Sequence, residues 1–197
     1  MPLNAASQTD DRTPDTALLV AVGNGDAAAA RLLLARLTPR LFNHAARVLS
    51  DRTEAEDIVQ ETLLRLWKIA PEWRQGEAQV STWCYRVLVN LCTDRLRARR
   101  PSVDIDAIAE PPANLKSVVE KMTDAARSDA LGRALASLPD RQKQAVALRH
   151  IEELGNPEIA EIMDISVEAV ESLIARGKRT LKAALEGRRD ELGYDHD

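Results

Sequence analysis

The chain is poor in aromatic residues: three Trp, two Tyr and one Phe, 3% of 197 residues. That argues against a β-sandwich or barrel, which draws on aromatic and β-branched residues. It has two cysteines, too few for the disulfide framework of a small secreted domain. Cys84 and Cys92 are eight apart on one expected helix, about 12 Å of rise. They are therefore too distant for a mutual disulfide and read as packed thiols. Long apolar runs are missing as well. The longest uncharged apolar stretch, Thr16–Gly25, has ten residues, whereas a membrane span needs about 20. No membrane insertion is expected. Met1–Asp15 carries acids and lacks an apolar core, so it does not read as a signal peptide. The expected setting is cytoplasmic and reducing. His44, His150 and His196 are scattered without metal-ligand spacing. There is no phosphate-binding glycine loop and no plausible triad. Hence no metal, cofactor, small-molecule substrate or catalytic residue is expected.

What is present is helical. Apolar residues make up 45% and charged residues 29%, ordinary values for a folded soluble chain. Leu, Ala and Val recur at spacings of three and four. The formal charge is −4, but it is unevenly spread. Pro71–Arg100 holds six basic and three acidic residues, and the next thirty hold three basic and six acidic. A basic focus thus ends at Arg95, Arg97, Arg99 and Arg100, ahead of an acidic stretch.

The pattern predicts an all-α protein of two small helical domains joined by a flexible linker. A tail covers 1–14. A first domain covers 15–100, a linker with three prolines 101–126, a second domain 127–187 and a tail 188–197. In the first domain a helix is expected from Asp15 to Val22. Asp26 caps the next, and Pro39 opens another in its first turn. Thr53-Glu54-Ala55-Glu56 reads as a capping box ahead of a helix with Ile58, Val59, Leu63, Leu66 and Trp67 apolar. Pro71 ends that helix, a loop follows, and a long helix runs from about Ser81 to Arg99. A second helical block starts near Ser117. A helix carrying Ala145, Val146, Leu148 and Ile151 stops at Gly155. Asn156-Pro157 reads as an N-cap followed by proline, and the short helix behind it exposes Glu158 and Glu161. Asp164-Ile165-Ser166 is a turn, and Ser166 caps a helix from Val167 to about Leu185. Short helix, turn and longer helix is the helix-turn-helix arrangement. It is favoured over an ordinary helical hairpin because Ala160, Ile165 and Val170 fall where small or apolar packing is needed.

These motifs together resemble a sigma factor of bacterial RNA polymerase, in the extracytoplasmic-function group of the sigma-70 family. Leu138-Pro139-Asp140-Arg141-Gln142 with Glu158-Ile159-Ala160-Glu161-Ile162-Met163-Asp164-Ile165-Ser166-Val167 resembles the domain that reads the −35 promoter element. Ala55-Glu56-Asp57-Ile58-Val59-Gln60-Glu61-Thr62 with Leu66-Trp67 resembles the main core-binding helix. Ser81-Thr82-Trp83-Cys84-Tyr85-Arg86 and Asn90-Leu91-Cys92-Thr93-Asp94-Arg95-Leu96-Arg97 resemble the promoter-melting and −10-reading helix.

The resemblance implies core RNA polymerase and promoter DNA as partners, control by an anti-sigma factor, and no enzymatic activity. It makes Asp57, Gln60, Glu61, Arg65 and Lys68 the face that meets core polymerase. Trp67, Trp73, Trp83 and Tyr85 lie within 19 residues beside the basic cluster, and aromatic platforms next to cations suit opened DNA. Trp67 and Trp83 are expected in the core, and Trp73 exposed. The loop from Arg74 to Val80 matches the one that holds a flipped −10 base, for which Gln75, Gly76 and Gln79 supply small or polar groups. Arg86, Arg95, Arg97, Arg99 and Arg100 complete that set, with Asn90 as a base or phosphate contact or equally a packed amide.

In the expected recognition helix, Ala169, Glu171 and Leu173 replace the Thr, Lys and Arg common in the family. Glu168 and Glu171 suit either cytosine N4 or the positive helix N-terminus. Ser166 and Ser172 join them as candidates, and Arg176, Lys178 and Arg179 are expected on phosphates. Two rival readings are a sigma-like decoy that sequesters an anti-sigma factor, favoured by those acids, and a stand-alone helix-turn-helix regulator.

Overall fold

The computed structural model describes residues 13–74, 79–99 and 132–186, all of them helical or in short connections. In the first half α1 spans Asp15–Gly23, α2 Ala27–Leu49, α3 Arg52–Ile69 and α4 Val80–Arg99, with a 3-10 turn at Ala70–Glu72. In the second, residues 132–136 form a helical turn, α5. Then come α6 at Asp140–His150, α7 at Asn156–Met163 and α8 at Val167–Glu186. The tails at 1–12 and 187–197, the linker at 101–126, the block from Ser117, and Gln75, Gly76 and Arg100 lie outside the described residues.

Three local expectations are corrected. No helix begins at Pro39, because α2 runs straight through it. The buried stripe Leu33, Leu37, Leu41, Ala45 and Val48 continues at three- and four-residue spacing across it, and that burial outweighs the lost amide, worth about 3 kcal/mol. The cap of α3 is not Thr53 but Asp51, whose carboxylate accepts from the Glu54 N–H at 3.0 Å. Asp51 and Glu54 have the same three-residue spacing as the box expected two positions later. Asn156 is the first residue of α7 and Gly155 its N-cap. Asp26 and Ser166 cap as expected, Asp26 accepting from Ala28 and Ala29 at 2.8 and 3.1 Å and Ser166 from Ala169 at 3.2 Å.

Two glycines mark close approaches. A Cβ on Gly23 would lie 2.4 Å from the Ala70 carbonyl oxygen, so α1 seats directly on the 3-10 turn. A Cβ on Gly177 would lie 2.6 Å from a Val146 methyl, so α8 crosses α6 there. The turn between α7 and α8 is set by Asp164 in the left-handed region, φ 52°, and by the Ile165 N–H donating to the Ala160 carbonyl at 3.1 Å. Val170 and Ile174 fill the angle between the helices.

The two halves pack together. α4 lies on α7, and α2 on α6. One apolar cluster runs from Leu18 and Leu41 through Leu88 to Leu148, Ile159 and Ile162. Glu158, expected in solvent, is half-buried and accepts from the Thr82 hydroxyl at 2.9 Å.

Candidate functional site

On α3, Asp57, Gln60, Arg65 and Lys68 are exposed and Glu61 is partly so. Arg65 Nε donates to Glu61 Oε1 at 2.8 Å, one turn along the helix. The same surface carries two large apolar side chains, Leu64 at 50% and Trp67 at 49% exposure. Trp67 is therefore not a core residue. Position 67 is one residue beyond Leu66, whose side chain fills the buried stripe, and the 100° step turns the indole outward. Leu64 and Trp67 edge an apolar groove between α2 and α3, floored by Leu34, Phe42, Val59 and Leu63 and flanked by Glu56 and Gln60. Arg52 lies over the Phe42 ring at 4.9 Å. Sequence reasoning passed over Leu64. Its signal was an apolar residue in the middle of a helix face otherwise made of Asp57, Gln60, Glu61, Arg65 and Lys68.

Trp73 reverses the other way. It is buried, at 9% exposure, and stands edge-on to Trp83 with ring centroids 6.3 Å apart. The 3-10 turn carries the chain back over α1, so this indole covers the core and cannot serve as an open stacking platform in this arrangement. Trp83 packs against the core as expected. Arg74 and Gln79, on either side of 75–78, are exposed.

Along α4 the basic residues divide. Arg86, Asn90 and Arg97 are exposed, at offsets of four and eleven residues that keep them on one side of a helix. Arg97 is 77% exposed, with Asp94 4.0 Å away. Arg95 and Arg99 turn instead to Glu54 of α3. Arg95 Nη1 lies 3.6 Å from its carboxylate, and Arg99 pairs with it and donates to the Leu49 carbonyl at 2.8 Å. These two arginines fasten α4 to the α2–α3 corner. Cys84 and Cys92 are buried free thiols, each pushed up to about 12 by burial, so neither is a thiolate nucleophile at neutral pH.

In the second half, α7 and α8 form the helix-turn-helix. Glu168 is turned back on its own helix end. Its own backbone N–H first, and the Ser166 hydroxyl second, hold its carboxyl below the usual range. Glu171 lies 3.5 Å from the Asn156 amide. Ser172 is half-buried, whereas Arg176, Lys178 and Arg179 are exposed. Burial, then Lys178 and Arg149, lower the pKa of His150. Among the described residues no group of three His, Cys, Asp or Glu side chains is placed to hold a metal ion, and no helix is long and apolar enough to cross a membrane.

Comparison with known proteins adds an independent finding. Sequence models of Sigma-70 region 2 and Sigma-70, region 4 match residues 33–101 and 128–181. The ECF RNA polymerase sigma-E factor of Haemophilus influenzae is 31% identical over 183 residues, 87% of this chain and 95% of that protein. The ECF RNA polymerase sigma factor SigW of Bacillus subtilis is 29% identical over 156 residues, 74% and 83% of the two chains. Among solved structures, CnrH in complex with the cytosolic domain of CnrY superposes with a TM-score of 0.67 at 24% identity, over 90% of this chain and 99% of that one. The sigma factor RpoE of Bartonella quintana, in complex with the anti-sigma factor NepR, gives 0.58 at 23% identity, over 78% and 94%. At such identities the two structures speak for the fold.

Proposed function

The chain belongs to the extracytoplasmic-function group of the RNA polymerase sigma-70 family, and from that premise we propose how its surfaces divide the work. It is a sigma factor: it binds core RNA polymerase and directs initiation at selected promoters. The observation that carries this reading is the order of its surfaces along the chain. An exposed groove on α2–α3 comes first, a basic face on α4 next, and a helix-turn-helix last.

Core polymerase docks on α3. Leu64 and Trp67 supply the apolar centre, and Asp57, Gln60, Glu61, Arg65 and Lys68 the charged rim that steers approach and sets orientation. Arg86, Asn90 and Arg97 meet −10 DNA, with Arg74 and Gln79 at the mouth of the loop that receives an unpaired base. Arg95 and Arg99 act through Glu54 as positioning residues for α4. On the −35 element Arg176, Lys178 and Arg179 hold phosphates, and α8 lies in the major groove. Glu168 serves the helix end rather than a base. Binding does all of this; the chain carries no catalysis of its own and works in the cytoplasm beside the polymerase. An anti-sigma factor is its expected regulator, the kind of partner RpoE has in its complex with NepR.

The acidic recognition helix was the feature favouring a decoy. Glu168 has Ser166 beside it and Glu171 has Asn156 at 3.5 Å, but both stay exposed on α8, so the decoy stands as the second reading. The test is run-off transcription from genomic fragments with purified chain and sigma-free core polymerase. Discrete transcripts that need both components are expected; core binding without any transcript would favour the decoy.

A further inference from the structure

The α2–α3 groove gives the free chain an apolar patch facing water. Leu64 and Trp67 are each about half exposed, and the groove behind them encloses about 340 Å³. Large apolar side chains exposed side by side mark an interaction surface. Asp57, Gln60, Leu64 and Trp67 follow one another at offsets of three, four and three, so they share one helix face. Charge on this face is sorted along α3. Glu56, Asp57 and Glu61 lie toward its start, Arg65 and Lys68 toward its end. Some of these charges are already used. Glu61 and Arg65 pair within the helix, and Arg52, at the start of α3, is drawn over Phe42. Glu56, Asp57 and Lys68 are exposed, and among the described residues none has a hydrogen-bond or ion-pair partner. Free carboxylates therefore stand on one side of the apolar centre and a free ammonium on the other.

A face sorted in this way is complementary to itself. Turned end for end about a two-fold axis at the height of residue 62, it brings Gln60 level with Leu64 of a second copy, Asp57 level with Trp67 and Glu56 level with Lys68. Each Lys68 then meets the free carboxylates of the other copy, and every contact occurs twice, as in any isologous pair. A parallel alignment instead sets Lys68 against Lys68 and Asp57 against Asp57, which repels. The size of the contact follows from the helix. α3 has 18 residues, about 27 Å of rise, and a strip one helix diameter wide covers roughly 300 Å² on each copy. The total of roughly 600 Å² is half of the about 1,200 Å² at which stable specific interfaces begin. The contact is therefore transient, with a micromolar or weaker dissociation constant, and it weakens with salt because its ion pairs stay near water.

We propose that a second copy of this chain occupies the α2–α3 groove: α3 pairs antiparallel with α3 in a weak two-fold dimer that hides Leu64 and Trp67 until core polymerase takes the same face. The dimer stands on the sorted charge and the apolar centre alone. Its displacement by core rests on the docking assignment above. Chain in excess of core then shields its own apolar patch, and dilution or free core releases it.

Sedimentation equilibrium of the full chain, from low to high micromolar concentration, tests this, with circular dichroism checking that each variant is folded. The wild type should pass from monomer to dimer and stop there. Trp67→Ala, Lys68→Glu and Glu56→Lys should each weaken the dimer roughly tenfold, since every change is felt twice across the axis. An equimolar mixture of Glu56→Lys and Lys68→Glu should associate more tightly than either variant alone, because the mixed pair sets Lys against Glu at both ends. A wild type that stays monomeric overturns the proposal. So does association that runs on past the dimer, a dimer that Trp67→Ala leaves intact, or a mixture no tighter than its components. Sigma-free core polymerase titrated into labelled dimer should split it, leaving one chain on each core. Core that takes up the dimer whole contradicts the shared face. Core that binds neither form sinks the sigma reading and the displacement with it, while the sedimentation series decides the dimer by itself.

Discussion

Trp67→Ala is the sharpest probe of the core-docking surface. The indole is 49% exposed. A tryptophan side chain offers roughly 250 Å², so about 120 Å² remains to be covered by a partner. At about 25 cal/mol per Å² this is worth about 3 kcal/mol, or roughly a hundredfold in Kd as an upper figure. Half of the side chain already faces water in the free chain, so the same substitution should move folding stability by less than about 1 kcal/mol. The assay is a titration of fluorescently labelled chain with sigma-free core polymerase, run beside thermal unfolding of the same samples. Lys68→Ala serves as the comparison. A rim charge alters on-rate and salt dependence, and its Kd should shift less than about threefold. Trp67→Ala with a Kd within threefold of wild type and an unchanged Tm would refute the docking assignment.

Three further outcomes follow from the geometry. Arg97→Ala should weaken promoter DNA binding and lower the salt slope by about 1 without changing Tm, whereas Arg99→Ala, which unties α4 from Glu54 and Leu49, should lower Tm; equal effects in both assays would contradict the division. Gly177→Ala drives a Cβ into Val146, and overpacking outweighs the gain in helix propensity. The expected loss is about 1 kcal/mol, or about 2–4 °C in Tm, and a Tm at or above wild type would contradict the close α6–α8 crossing. His44 is buried and its pKa is lowered to about 4, by burial first and Arg47 second. Between pH 6.5 and 4 the unfolded chain binds a proton that the folded chain refuses, so this stability is complete above pH 6.5 and is lost as pH falls. The loss is about 3 kcal/mol over that window. Denaturant melts across pH check it, and a slope between pH 6.5 and 4 that survives His44→Leu would contradict the assignment.

The helices were legible because their signals are local. Asp26 and Ser166 cap where their spacing places them, and Gly155 stands at a boundary. The errors came where a local signal met a tertiary one. Pro39 reads as a start, but the apolar stripe through Leu37 and Leu41 carries the helix past it. Trp67 and Trp73 exchanged roles because a tryptophan's composition says nothing about which way a 100° step turns it. Arg95 to Arg99 read as one basic cluster, yet Glu54, some forty residues earlier, pairs with two of the arginines. Long-range pairing of that kind leaves no periodic trace. The seam between the halves is the extreme case: Glu152 and Gln144 look like ordinary surface residues until Tyr85 and Thr93 are placed beside them.

Permanganate footprinting on a supercoiled promoter identified by run-off is the most direct measurement, because it reads melting and placement together. With core polymerase and this chain, unpaired thymines should appear around −10, along with backbone protection about 25 base pairs upstream that disappears when the chain ends before Gly132. Melting that appears with core alone, or none in the presence of a chain that binds core tightly, would contradict the account.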